Sequence, residues 1–482
     1  MSLNPFLTIQ ELRKRLDAHE VTPQEVLDYY IQRFEKFDAQ LGSALEIFDK
    51  ESIIKSRLQS SGPLSGIPGL IKDNITQVDR IASCGSKILQ NYHATYDATV
   101  CERLKNQGAF LIGRANMDEF AMGSSNERSA YKNVKNPWDL SRVPGGSSGG
   151  SAAAVSAGLI PWALGSETGG SVRQPAAFCG ITGIKPTYGL ISRYGLIAYA
   201  SSLDQVGVLA RSVYDSALVL SAIAGQDTKD SSTLAVKPTD YTKNLTGSLK
   251  PGLRIGVVEN ALYAEGMDNE IVSSIENALK VYEKLGAQIK RVTIPVLDYS
   301  AAAYFVISRA EAASNLARFD GVRYGLRVKN KTLADMYQAT RHDGFGSEVR
   351  ARIMVGSYVL SAGHAGEFYV NAQKVQRLIR HELRQALADV DVLVMPTHPA
   401  PAFTIGAFDV DKLQMDLQDY FTCPANLAGI PALSIPCGFT QNNLPIGFQL
   451  WGSHLSEELL LQTAYAYEQQ TEWHKKFPEK FI

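Results

Sequence analysis

Residues 142–173 read RVPGGSSGGSAAAVSAGLIPWALGSETGGSVR, and between the two terminal arginines Glu167 is the only charge. A membrane span needs about 20 apolar residues. Glycine and serine are frequent here and Pro161 interrupts the run, so it is too polar and too broken to span. A flexible Gly/Ser linker is excluded as well, because Ala152 to Ala157 and Leu159 to Leu164, with Trp162, form an apolar continuation. The segment is therefore expected at the buried heart of the fold.

Outward from that core, the N-terminus reads as helical. Thr8 with Glu11 three residues on is a capping-box signal, and Thr22, Pro23 and Glu25 repeat it with proline at the first helical position. Leu27, Tyr30, Ile31 and Phe34 then share one helical face. Downstream, Arg254 to Val258 reads as a strand, Ile271, Ile275, Leu279 and Tyr282 mark a helix, and Gln288 to Ile294 a second strand, which is a βαβ pattern. Val390 to Met395, Ala432 to Pro436 and Ile446 to Leu450 are further strands, and Glu457 to Gln470 is a final helix. Strands and helices interleave throughout. The expected class is α/β, with one large mixed sheet covered by helices on both faces. No linker, repeat or charge block divides the chain, so residues 1–482 are expected to form one domain, with N-terminal helices over about 1–60 packing on its core.

The 482 residues carry 48 basic and 49 acidic side chains, for a net charge of −1. That balance argues against polyanion binding by counterion release. Cys84, Cys101, Cys179, Cys423 and Cys437 are odd in number and far apart, with no C-x-x-C pair, so neither a disulfide scaffold nor a thiolate metal site is expected. The first residues, MSLNP, do not resemble a signal peptide, and the expected compartment is the reducing cytoplasm.

No Walker phosphate loop and no H-E-x-x-H occurs, which leaves serine as the carrier of chemistry. Gly145 to Ser151 and Thr168-Gly169-Gly170-Ser171 are glycine-serine turns. Glycines let the backbone approach a substrate and let successive N–H groups point at one spot, as an oxyanion hole requires. A nucleophilic serine also needs a base. Gly146 to Gly150 formally matches the G-x-S-x-G elbow, which would make Ser148 the nucleophile of a histidine triad, although residues 139–144 make a poor strand before it. The alternative base is Lys72, at the end of Gly66 to Ile71, where apolar surroundings would lower its pKa. Spacing does not separate the two.

Gly66-Ile67-Pro68 running into Lys72-Asp73-Asn74, then Gly145 to Ser151, then Gly169 to Ala176, resemble in order and spacing the motifs of the amidase signature family. The resemblance implies amide hydrolysis by a Ser-Ser-Lys triad on one large α/β domain. It makes Ser171 the acylating nucleophile, Ser147 (after a cis peptide from Gly146) the proton relay, and Lys72 the base. The N–H groups of Thr168, Gly169, Gly170 and Ser171 become the oxyanion hole, and Ser148 a supporting hydroxyl. The family more often has aspartate where this chain has Glu167.

Three further stretches, ANMDEFAMGSSNE at 115–127, ASNLARFDGVRYG at 313–325 and DYFT at 419–422, resemble one branch of that family, the A subunits of glutamyl-tRNA(Gln) amidotransferases. The branch implies a glutaminase serving protein biosynthesis in a ligase complex. Ammonia freed from glutamine would pass to a B subunit that holds misacylated tRNA and uses ATP and Mg²⁺, with a C subunit completing a heterotrimer. No cofactor or metal is implied for this chain. A pocket for free glutamine wants a bidentate arginine and an acceptor carboxylate. Arg352 and Asp419 match the family positions for these, Tyr304 or Phe305 would line the pocket, and Gly123 and Ser124 would form a pocket loop. The rival readings are a stand-alone amidase for small amides and a catalytically silent assembly protein.

Overall fold

The structure is a computed structural model that describes residues 3–56 and 61–482; residues 1, 2 and 57–60 of the expected N-terminal helical region lie outside the described residues. The strands are β1 (Ala44–Ile47), β2 (Pro68–Lys72), β3 (Phe110–Ala115), β4 (Trp162–Glu167), β5 (Thr182–Lys185), β6 (Gln205–Ala210), β7 (Arg254–Val258), β8 (Gln288–Val292), β9 (Val392–Pro396), β10 (Ala432–Phe439) and β11 (Pro445–Gly452). They form one sheet in the order β1-β3-β2-β4-β6-β5-β10-β11-β9-β7-β8. Its parallel pairs are β3–β2, β2–β4, β9–β7 and β7–β8. The antiparallel centre runs from β4 to β9. The expected mixed α/β sheet is present.

Alternate residues of each strand enter opposite cores, as pleating requires. Leu70, Ala163 and Leu209 pack with the helices Pro23–Leu41 and Gly149–Ser156. Their neighbours Ile71, Leu164 and Val208 face the helices Val213–Ile223 and Glu457–Glu468. At the other end of the sheet, Leu393 and Met395 join a third cluster with the helices Ser300–Asn315, Ser347–Leu360 and Tyr369–Asp389.

The sequence signals held where side chains close local bonds. Both capping boxes form, Thr8 with Glu11 and Thr22 with Glu25. Leu27, Tyr30 and Phe34 are buried, while Ile31 is half-buried. Asp215 accepts from the Ile9 N–H at 2.9 Å, which ties the first helix to the sheet's helical cover. The βαβ unit forms as β7, the helix Asn269–Lys284 and a β8 that ends two residues early. β9 begins two residues late, β10 and β11 run longer than expected, and the last helix stops at Glu468. The segment between Arg142 and Arg173 is buried as expected from Val143 onward. Within it the helix Gly149–Ser156 has no exposed face, which explains its lack of charge.

Trp162, fully buried at the start of β4, packs against Gly69 of β2, and a Cβ on Gly69 would enter its ring. Overpacking of a closed core costs about 1–3 kcal/mol. Gly69→Ala is expected to lower unfolding free energy by about that amount, read from the urea midpoint at unchanged m-value.

Candidate active site

β2 and β4 run parallel, so their C-terminal ends meet at one edge of the sheet, where open α/β sheets bind ligands. Lys72 is the last residue of β2, and the turn 168–171 follows β4. The Lys72 amine is fully buried and contacts Ser147 Oγ at 2.7 Å, Ser148 Oγ at 2.8 Å and the Ser166 carbonyl at 3.1 Å. The Gly146–Ser147 peptide is cis, as expected.

Burial lowers the Lys72 pKa to about 7, with Asp118 and Asp204 the main opposing charges. A neutral amine has two N–H donors and one lone pair. Ser148 Oγ donates to the Ser166 carbonyl at 3.1 Å, so it can accept from Lys72. The amine then donates to Ser148 Oγ and Ser166 O, and its lone pair is left for the Ser147 hydroxyl. This is the arrangement of a base and its proton donor.

Ser171 is buried one turn away, and its carbonyl accepts from the Ser148 N–H at 3.2 Å. Among the described residues its hydroxyl makes no hydrogen bond to another side chain. The N–H groups of Thr168, Gly169, Gly170 and Ser171 likewise find no acceptor among the described residues. The next two, of Val172 and Arg173, both donate to Glu167 Oε2 at 3.0 Å. Buried N–H groups left free in sequence suit a developing oxyanion. Burial pushes the Glu167 carboxyl up, but the Arg173 guanidinium beside it holds it below its ordinary pKa. Glu167 thus fixes the far side of the turn as a charged cap.

A cavity of about 310 Å³ adjoins this turn, with Ser124, Tyr304, Phe305, Arg309, Arg352 and Asp419 in its wall. Both candidate aromatic residues line it. A Cβ on Gly169 would meet the Tyr304 ring and one on Gly170 would meet Thr422 Oγ1 and Asp419, so cavity and turn touch. Gly123 stands beside Ser124 against the Asp118 carboxylate and is not in the cavity wall. Arg352 is held by Glu348 at 2.7 Å and by the Tyr199 hydroxyl at 2.9 Å, which leaves further N–H groups on its fork. Burial pushes the Asp419 pKa up to about 7, and its Oδ1 has no hydrogen-bond partner among the described residues. Arg309 is stacked on Phe305 and paired with Asp416 at 2.8 Å; nothing in the sequence marks it.

A family model described as Amidase matches residues 25–461. The chain belongs to the amidase family. Within that family it is 49% identical over 480 residues to the glutamyl-tRNA(Gln) amidotransferase A subunit of Gloeobacter violaceus, covering 98% of each chain. The crystal structure of the Thermotoga maritima protein of the same name is 41% identical with a TM-score of 0.83, covering 98% of this chain and 96% of that one. The 6-aminohexanoate cyclic dimer hydrolase, solved with its substrate, is 25% identical with a TM-score of 0.89 over the full length of both. Among the described residues no histidine hydrogen-bonds to Lys72, Ser147 or Ser148, as a histidine triad on Ser148 would require.

Two outcomes follow. Gly170→Ala places a methyl group on Thr422 and is expected to lower kcat for amide hydrolysis by about 10²-fold or more through the displaced turn, measured as product release. The pH profile of kcat/KM is expected to fall below about pH 7, because Lys72 must be neutral and Asp419 ionised, and both titrate near there.

Proposed function

We propose that this chain is the glutaminase subunit of a tRNA-dependent amidotransferase. Its full-length similarity to the amidotransferase A subunit at 49% identity carries the reading. In it, glutamine enters the 310 Å³ cavity with its α-carboxylate on Arg352 and its α-ammonium on Asp419. An ammonium beside Asp419 would return that carboxyl to its ionised form. The side-chain amide then reaches the glycine turn.

Ser171 Oγ attacks the carboxamide carbon. Its proton passes to Ser147, whose own proton passes to Lys72. The N–H groups of residues 168–171 hold the oxyanion. When the tetrahedral centre collapses, the proton returns through Ser147 to the leaving nitrogen, ammonia departs, and a glutamyl ester remains on Ser171. Water enters by the same relay and releases glutamate. The ammonia passes to a B subunit that holds Glu-tRNA(Gln) and activates its carboxylate with ATP and Mg²⁺, and a C subunit joins the two. On this reading the complex works in the cytoplasm; among the described residues no helix is long and apolar enough to cross a membrane.

The likeness to the cyclic dimer hydrolase supports a second reading, a stand-alone hydrolase of small amides. The opposite charges of Arg352 and Asp419 in one cavity favour a free amino acid instead.

The test is ammonia release from glutamine by the chain co-purified with its B and C partners. Release is expected to vanish in Ser171→Ala and Lys72→Ala, and to rise with Glu-tRNA(Gln) and ATP. An intact complex inert towards glutamine, beside turnover of simple amides by the lone chain, would favour the second reading.

A further inference from the structure

The cavity and the glycine turn are joined by hydrogen bonds through a segment that neither of them contains. Arg352 donates to the Tyr199 hydroxyl at 2.9 Å. The Tyr199 and Ala200 N–H groups donate to Asp204 Oδ2 at 2.8 and 2.9 Å. The other oxygen, Asp204 Oδ1, accepts from the Thr168 hydroxyl at 2.6 Å, and Thr168 opens the turn. All five residues are buried. The path is short because Asp204 immediately precedes β6, whose Gln205 pairs across the sheet with Glu167 of β4.

We infer that Tyr199 and Asp204 are positioning residues that align the oxyanion turn with a substrate carboxylate seated on Arg352. The inference rests on the reading of Arg352 and the 168–171 turn given under Proposed function. Neither residue touches the reacting amide. Glu348 at its Nε and Asp416 at 3.6 Å from its Nη2 still hold Arg352, so losing the Tyr199 hydroxyl leaves the carboxylate clamp in place while releasing it from the turn. At the other end, Asp204 accepts three hydrogen bonds that together fix the 199–204 loop and Thr168. Burial raises the Asp204 pKa to about 6, so near neutral pH it is the charged acceptor these donors require. A loop held for folding alone would show as lost stability, whereas alignment of the turn shows in the chemical step.

The test is steady-state glutamine hydrolysis by the complex with its partners, for Tyr199→Phe, Asp204→Asn and the double variant, with thermal midpoints and Arg352→Lys in parallel. Each single variant is expected to lower kcat by about tenfold while KM moves less than about threefold. The double variant is expected to be no slower than the worse single, since both cut one path. A wild-type kcat in Tyr199→Phe, losses that multiply in the double variant, or a change confined to KM or to thermal midpoint would overturn the inference. Arg352→Lys separates this from failure of the site reading. A large rise in its KM beside a wild-type Tyr199→Phe overturns only the positioning path. An unchanged KM in Arg352→Lys removes the carboxylate clamp, and the inference falls with it.

Discussion

A lysine amine fully buried without a carboxylate partner is the constraint on which this site depends. Moving a charged ammonium out of water without a partner costs several kcal/mol, and the group responds by losing its proton. For Lys72 burial brings the pKa down to about 7: Asp118, Asp204 and Glu167 act on it only at a distance, and its direct contacts are two hydroxyls and a carbonyl. Arg173, buried as deeply and two residues from the turn, differs in having a carboxylate partner, Glu167. Burial by itself is not catalysis. Lys185 is buried with its pKa also lowered to about 7, yet its amine meets the Pro186 carbonyl, which can take no part in proton transfer. What sets Lys72 apart is its two serine neighbours, Ser148 taking an N–H and the Ser147 hydroxyl facing its lone pair.

The surrounding fold serves that placement. Two parallel strands bring Lys72 and the 168–171 turn to the same sheet edge, and the uncharged helix Gly149–Ser156 packs closely enough to deliver Ser147 and Ser148. Gly150 admits no side chain because the main chain at Ser43 and Asn116 lies against it. The cavity beyond is electrostatically mixed. Arg309 is paired with Asp416 in its wall, and Arg352 and Asp419 line the same 310 Å³, a charge pattern suited to a zwitterion more than to a neutral amide.

Much of this was legible in the sequence for identifiable reasons. Capping boxes and the βαβ unit are written in local spacing, and they formed where read. The uncharged run from 142 to 173 announced burial, since only a segment without solvent contact tolerates so little charge. The glycine turns announced close approach. Other strands were silent: β3, β5 and β6 are buried on both faces, so they lack the alternation that marks a half-exposed strand. Strand ends were missed by about two residues because pairing partners, not propensity, set them. Ser148 and Lys72 could not be ranked as rival signals by spacing, and they turn out to be neighbours in one network. Arg309, Asp416, Tyr199 and Asp204 carried no motif; their importance arises from contacts between residues some 36 to 153 positions apart.

The central claim is that Ser171, activated through Ser147 by neutral Lys72, carries the acyl group. The most direct measurement is intact and peptide mass spectrometry of the complex quenched in acid during glutamine turnover. The account predicts a glutamyl ester on the peptide containing Ser171, absent in Lys72→Ala. A glutamyl adduct on Ser148, or steady turnover with no adduct on any serine under conditions where deacylation is slowed, would contradict it.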